Sequence, residues 1–143
     1  MTHTFRYYDW DLSVFLRGAF DYSIFNIHDF YYGIQGFNGN VMEKAYSKNG
    51  LVTGLQVPTD YYLERGDYIK LDMVSLGYTW RVNKRYLDSV KFKLTGKNLV
   101  TFTKYSGIEP ANVQVNGLTP GATGSRSYYP SVRQVIFGVQ LDF

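Results

Sequence analysis

Apolar and polar side chains alternate along much of this chain with a period of two, the spacing that places successive side chains on opposite faces of an extended strand. Over residues 9–23, Trp10, Leu12, Val14, Leu16, Gly18, Phe20 and Tyr22 share one face, and Asp9, Asp11, Ser13, Phe15, Arg17, Ala19, Asp21 and Ser23 the other. Strands of globular proteins usually run ~5–6 residues. From Trp10 to Tyr22 the chain would cover roughly 40 Å when extended, or roughly 28–30 Å of height at a tilt of ~40–45°. That is close to the ~25 Å apolar band of an outer-membrane barrel.

Three further segments repeat the design. In 67–82, Val74, Leu76, Tyr78, Trp80 and Val82 alternate with Ser75, Gly77, Thr79 and Arg81. Upstream, Ile69, Leu71 and Met73 occupy the other phase, so the pattern flips at Met73–Val74, as it would at a β-bulge or where a strand changes environment. In 90–103, Val90, Phe92, Leu94, Gly96, Val100 and Phe102 share a face, with Asn98 the exception, against Lys91, Lys93, Thr95, Lys97, Thr101 and Thr103. In 132–143, Val135, Phe137, Val139, Leu141 and Phe143 alternate up to the last residue. An apolar side chain in phase at that position suits a strand held by neighbours and lipid better than a fraying end.

The connections are long, short and long: about 24–66, then 83–89, then 104–131. A short helix is expected near 40–46. Long outer loops and short periplasmic turns are the outer-membrane rule. The expected fold class is therefore all-β, with about four antiparallel transmembrane β-barrel strands at 9–23, 67–82, 90–103 and 132–143.

Composition sharpens this picture. Apolar residues make up 45% of the chain and aromatic residues 18%, with 14 Tyr and 10 Phe. A mean hydropathy of −0.24 excludes a helical membrane protein, and no run nears the ~18 apolar residues a spanning helix needs. A barrel is compatible with it, because lipid-facing and lumen-facing residues average out. A net charge of +3 with scattered basic residues gives no nucleic-acid footprint. With no Cys, there is neither a disulfide framework nor a thiolate metal site. The start "MTHTFRYYDW" has no signal-peptide core.

The stretches "TGKNLVTFTKYSGIEP" and "SYYPSVRQVIFGVQLDF" resemble the C-terminal end of the SusC/RagA family of TonB-dependent outer-membrane transporters. "GDYIKLDMVSLGYTW" and "DLSVFLRGAFDYSIFN" resemble the segments before it, so the resemblance covers about 9–143. Where the family usually carries an acidic-Pro-acidic turn, this chain has Glu109-Pro110-Ala111. The resemblance implies a C-terminal piece of a ~22-stranded barrel whose plug and upstream strands are absent here, not competent for transport alone. It implies a barrel-assembly signal at Phe137, Val139, Leu141 and Phe143, read by the barrel-assembly machinery. The implied partners are the rest of the barrel and its plug, outer-membrane lipid, a SusD-like surface lipoprotein and, through the missing N-terminal part, the TonB complex. The implied role is import of oligosaccharides or peptides.

Candidate chemistry is sparse. No catalytic, cofactor or metal constellation emerges, and no enzyme is suggested. His3 and His28 read as solvated loop residues. Asp60, Glu64 and Asp67 read as a solvated acidic loop without a calcium-loop pattern. Lys91, Lys93 and Lys97 are expected to face the lumen or plug. Trp10, Leu12, Val14, Leu16, Leu76, Tyr78, Trp80, Phe92 and Leu94 are expected to face lipid. Tyr31, Tyr32, Tyr61, Tyr62, Tyr105, Tyr128 and Tyr129 lie in the long connections and are candidate contacts for a ligand or a lid, since an aromatic ring offers an apolar face and a polar tip. The alternative function class is a soluble β-sheet carbohydrate-binding module. Strand length, the terminal Phe and the loop asymmetry favour the barrel.

Overall fold

A computed structural model describes residues 1–36, 38–50, 57–84, 86–113, 121 and 129–143. The chain divides into two compact units, one of residues 1–18, 69–102 and 131–143 and the other of residues 19–68 and 103–130.

The first unit is an antiparallel sheet built from five strands: β1 (Thr2–Tyr7), β2 (Trp10–Ala19), β5 (Tyr68–Lys84), β6 (Leu87–Thr103) and β7 (Gln134–Asp142), in the order β1-β2-β5-β6-β7. The segment expected at 9–23 stops at Ala19, because Asp21 turns the backbone into the left-handed region (φ 60°). The segments expected at 67–82 and 90–103 extend to Lys84 and start from Leu87. Each of these strands has 17 residues, roughly 55 Å at ~3.3 Å per residue and therefore taller than a ~25 Å apolar band even when tilted. β1 was not among the expected strands. Its Phe5 and Tyr7 alternate with Thr4 and Arg6, and it pairs with β2 through Tyr7↔Trp10, Phe5↔Leu12 and His3↔Val14.

The phase flip in β5 has a structural counterpart. The Asp72 carboxylate meets Arg17 Nε at 2.9 Å, and the Ser75 hydroxyl lies 3.0 Å from that of Thr95. Residues three apart thus present to one polar face, which strict alternation forbids unless the strand carries an extra residue between them. Asn98, the polar exception in β6, takes the left-handed backbone (φ 52°) that Asn tolerates, and its amide donates to the Val132 carbonyl at 3.0 Å.

Gly77 makes room for a contact that reaches across three strands. A Cβ there would lie 2.5 Å from Asp11 Oδ1. In its absence the β2 carboxylate passes over β5 and meets Lys91 Nζ of β6 at 2.9 Å. Arg81 and Asp9 form a neighbouring pair at 3.3 Å.

The second unit is built from the two long connections. A short ladder of β3 (Ser23–Phe25) and β4 (Leu63–Arg65) stands beside a one-and-a-half-turn helix, α1 (Ile27–Tyr32). The helix expected near 40–46 is a 3-10 turn over Glu43–Tyr46, and a second such turn covers Asp60–Tyr62. A helix of six residues has little stability of its own. It is held by the Asn26 side chain, which accepts from the Asp29 N–H at 3.1 Å, and by burial of Phe30. Ile24, Phe30, Ile34, Ala45, Tyr62, Tyr68 and Tyr105 form the apolar interior.

The Gly77 notch is testable. Gly77→Val should push Asp11 off Lys91 and destabilise the sheet by about 1–3 kcal/mol. Gly138→Ala, whose nearest neighbour would be the Lys93 carbonyl at 4.0 Å, should be neutral. Urea unfolding of the two variants in detergent micelles checks both.

Candidate functional site

The pairings align the apolar residues of the sheet into one continuous face. Val90↔Leu141, Phe92↔Val139, Leu94↔Phe137 and Gly96↔Val135 are directly opposed. On the other side of the sheet, Trp10 and Leu12 oppose Tyr7 and Phe5. The Trp10 ring packs on Tyr78 of β5 at 4.7 Å, and Phe92 stacks with Phe137 at 6.5 Å. Trp10, Leu76, Tyr78, Phe92, Leu94 and Phe137 line a shallow, mostly apolar hollow on this face, together with Lys93, which was expected to face the lumen or plug.

Among the described residues, many large side chains of that face stay exposed. Trp80 is 54% exposed, Leu94 49%, Phe137 65% and Val139 51%. Leu12, Val14 and Leu16 are half-buried within their own strand rows. On the polar face Ser75, Thr95 and Lys70 are buried while Arg17 and Arg81 are exposed, and the Lys70 ammonium donates to the Ser131 hydroxyl at 3.3 Å. A water-soluble sheet keeps its apolar face in and its polar face out. Here many of the large apolar groups are exposed, Tyr78 and Phe92 are half-buried, and Tyr68 and Val90 are buried. Phe137, Val139, Leu141 and Phe143 all lie exposed on or just beyond β7. Lys91 is on the polar face, paired with Asp11.

The candidate tyrosines divide into interior and surface. Tyr62 and Tyr105 are 4% and 5% exposed and belong to the interior of the loop unit, so neither offers a ring face to a ligand in this structure. Burial of the Tyr62 ring against Phe30 (5.1 Å), together with the Asp29 carboxylate and Tyr61, raises its phenol pKa. Tyr31 and Tyr32 are half-buried, and Tyr31 packs edge-on to Phe30 at 4.9 Å. Tyr61 and Tyr129 are exposed. Tyr128 lies outside the described residues. The Tyr61 ring is fixed from both ends: its hydroxyl donates to Asn49 Oδ1 at 2.6 Å, and its edge meets Tyr62 at 5.2 Å. The Lys48 ammonium sits 5.7 Å from its centroid.

Beneath these rings lies a polar network that the sequence did not announce. Asn49, fully buried, donates to Asp29 Oδ1 at 2.8 Å and to the Gly33 carbonyl at 2.9 Å. Lys44 Nζ reaches Asp29 Oδ2 at 3.5 Å and donates to the Ser106 hydroxyl at 2.7 Å. Glu64, expected as part of a solvated acidic loop, instead accepts from the Ser106 hydroxyl, the Ser106 N–H and the Asn26 amide. Burial would raise its pKa, but those three hydrogen bonds and the Lys44 charge outweigh burial and lower it. Asp67 accepts from the Asp21 N–H at 2.7 Å and pairs with Arg65 at 2.6 Å. His28, expected to be solvated, is 8% exposed with its ring 6.3 Å from Tyr32. Among the described residues no group of three or more His, Cys, Asp or Glu is placed to hold a metal ion.

No family model matches the chain. It is 28% identical over 153 residues to TonB-dependent receptor P3 of Formosa agariphila, an alignment covering 96% of this chain and 15% of that receptor. It is 35% identical over 98 residues to TonB-dependent receptor P26 of the same organism, covering 64% of this chain and 10% of that receptor. The chain thus spans 15% or less of the curated relatives it matches. Among solved structures it superposes on the RagAB peptide transporter with a TM-score of 0.71 at 18% identity, over 94% of this chain and 16% of that one. The RagAB peptide importer in its 'open-open' state gives 0.67 at 19%. The sequence is therefore similar to TonB-dependent receptors, and the antiparallel β fold to part of a RagA-type transporter; the open sheet agrees with so partial a coverage.

Tyr22, expected at the aromatic border of a strand, sits in the loop unit and donates to the Pro110 carbonyl at 2.9 Å. Burial, then the neighbouring Tyr68, Asp67 and Tyr105, push its pKa up to about 12. Because the folded value lies above the ordinary 10.0, the contribution to stability is complete below pH ~10 and is lost as pH rises toward ~12. Tyr22→Phe should flatten that alkaline limb, and thermal unfolding between those pH values measures it.

Proposed function

We propose that this chain is a barrel segment of a SusC/RagA-like TonB-dependent transporter of a bacterial outer membrane, serving import of oligosaccharides or peptides as part of a larger barrel. The observation that carries the reading is the inverted sheet, whose large apolar side chains face outward across all five strands while Ser75, Thr95 and Lys70 are buried on the other face. Water opposes that arrangement and lipid favours it. The soluble carbohydrate-binding module gains no support from it, since such a module needs its apolar face covered.

In this reading Trp10, Leu12, Val14, Leu16, Leu76, Tyr78, Trp80, Phe92 and Leu94 contact lipid. Tyr7, Trp10, Tyr78 and Trp80, close to the tight turns that join β1 to β2 and β5 to β6, form one aromatic girdle. The polar face with its ion pairs lines the lumen against a plug, and the lumen ion pairs need no contribution from lipid. Tyr31, Tyr32, Tyr61 and Tyr129 remain the contacts offered to a ligand or a SusD-like lid, with Tyr62 and Tyr105 as their support. Peptide is the cargo named for the RagAB structures, and it is one of the two cargo classes proposed here. TonB would act through parts of the transporter outside this chain.

Lipid exposure is tested directly. Cysteine-linked probes at Leu12, Val14, Leu76, Phe92 and Leu94 should resist water-soluble quenchers in bilayers, and Leu94→Arg should cost ~2–4 kcal/mol of barrel stability. Free aqueous access at most of these sites would overturn the reading.

Phe137, Val139, Leu141 and Phe143 are proposed as the assembly signal. Burial of one Phe contributes about 1.5–3 kcal/mol, a small amount for a large barrel. Loss of Phe143 should therefore lower outer-membrane yield far more than Tyr78→Ala if the residue is read during assembly. Equal, mild losses, compared by membrane fractionation, would leave it as a girdle aromatic only.

A further inference from the structure

The loop unit is made of two stretches far apart in sequence, 19–68 and 103–130, and one carboxylate joins them at their most polar point. Glu64 Oε1 accepts from the Ser106 hydroxyl at 2.6 Å and from the Asn26 amide at 3.0 Å, and Oε2 accepts from the Ser106 N–H at 2.7 Å. The Ser106 oxygen in turn accepts from Lys44 Nζ at 2.7 Å and from Asn26 Nδ2 at 3.3 Å. A hydroxyl has one proton and two acceptor sites. With both sites taken by Lys44 and Asn26, its proton is committed to Glu64. All three partners of the carboxylate are donors, which favours its ionised form.

We infer that Glu64, Ser106, Asn26 and Lys44 form a clasp that makes the two long connections a single body, so that residues 104–113 and the Asn26–Asn49 stretch carrying α1 are ordered together or released together. The chain of bonds runs on from Lys44 to Asp29, from Asp29 to Asn49 and from Asn49 to the Tyr61 hydroxyl. The exposed Tyr61 ring therefore stands at the far end of a network whose other end is Ser106. A pull on the second connection reaches that ring through bonded groups, with no direct contact needed. The charged groups that face Glu64 are Lys44 from the 3-10 turn and, behind it, Asp29 of α1; the Arg65–Asp67 pair follows it on and beyond β4. The clasp is a positioning device, and it does not depend on which cargo the Tyr61 surface meets.

The test places spin labels at Tyr46→Cys and Ile108→Cys, both exposed sites on the two stretches, in the full chain in detergent micelles. A single narrow distance is expected. Glu64→Ala and Ser106→Ala should each replace it with a broad distribution and raise amide exchange in both 26–49 and 104–113. Glu64→Gln should fail to restore it, because a Gln amide presents a donor to donors. Far-UV circular dichroism of β5 and β6 signal unchanged in the same samples separates release of the clasp from failure to fold. A narrow distance kept in Glu64→Ala, or exchange that rises in one stretch alone, would overturn the inference.

Discussion

The side of the sheet that holds most of its large apolar side chains is the side that the described residues leave exposed, and the rest of the sheet is built around that constraint. A sheet of period-two strands always has two chemically distinct faces. In water the apolar face must be buried by a second layer. Among the described residues no second layer lies on it, and the polar face carries Arg17–Asp72, Arg81–Asp9 and Lys91–Asp11. These ion pairs contribute little individually where water reaches them. Their effect is to pair charges that stand close together on one face of the sheet.

The strands were legible because alternation survives averaging over many residues. The boundaries were less so. Ala19 ends β2 and Asp21 turns, although the alternation runs on through Tyr22 and Ser23, since a pattern of side chains does not record the sign of a φ angle. β1 went unrecognised for the opposite reason: six residues with only Phe5 and Tyr7 as apolar marks give too few repeats to stand out. The flip at Met73–Val74 was visible as a change of phase, and it needed the contacts of Asp72 and Ser75 to become one extra residue within a continuous strand.

The loop unit was scarcely legible at all. Its interior depends on Asn26 meeting Glu64 and Ser106, and on Asn49 meeting Asp29, across separations of 38, 80 and 20 residues. Polar residues in long Gly- and Tyr-rich connections read as solvated, and nothing in their spacing marks those that will be buried together. Tyr62 and Tyr105 show the same ambiguity. A tyrosine that supports a surface and one that forms it have the same composition and differ only in the direction of the ring.

The notch at Gly77 has a consequence for how the sheet reaches its register. The Asp11–Lys91 contact joins β2 to β6, two strands that share no backbone hydrogen bonds and stand roughly 9.5 Å apart, twice the spacing of neighbours. It can close only when β5 is aligned correctly with both. A hairpin of β5 and β6 slipped by one residue would carry the gap to the opposite face and leave Asp11 facing a side chain. The bridge is thus a late-forming checkpoint, absent from each pair of strands and present only when three agree. A single missing side chain thereby converts two independent pairings into one cooperative event.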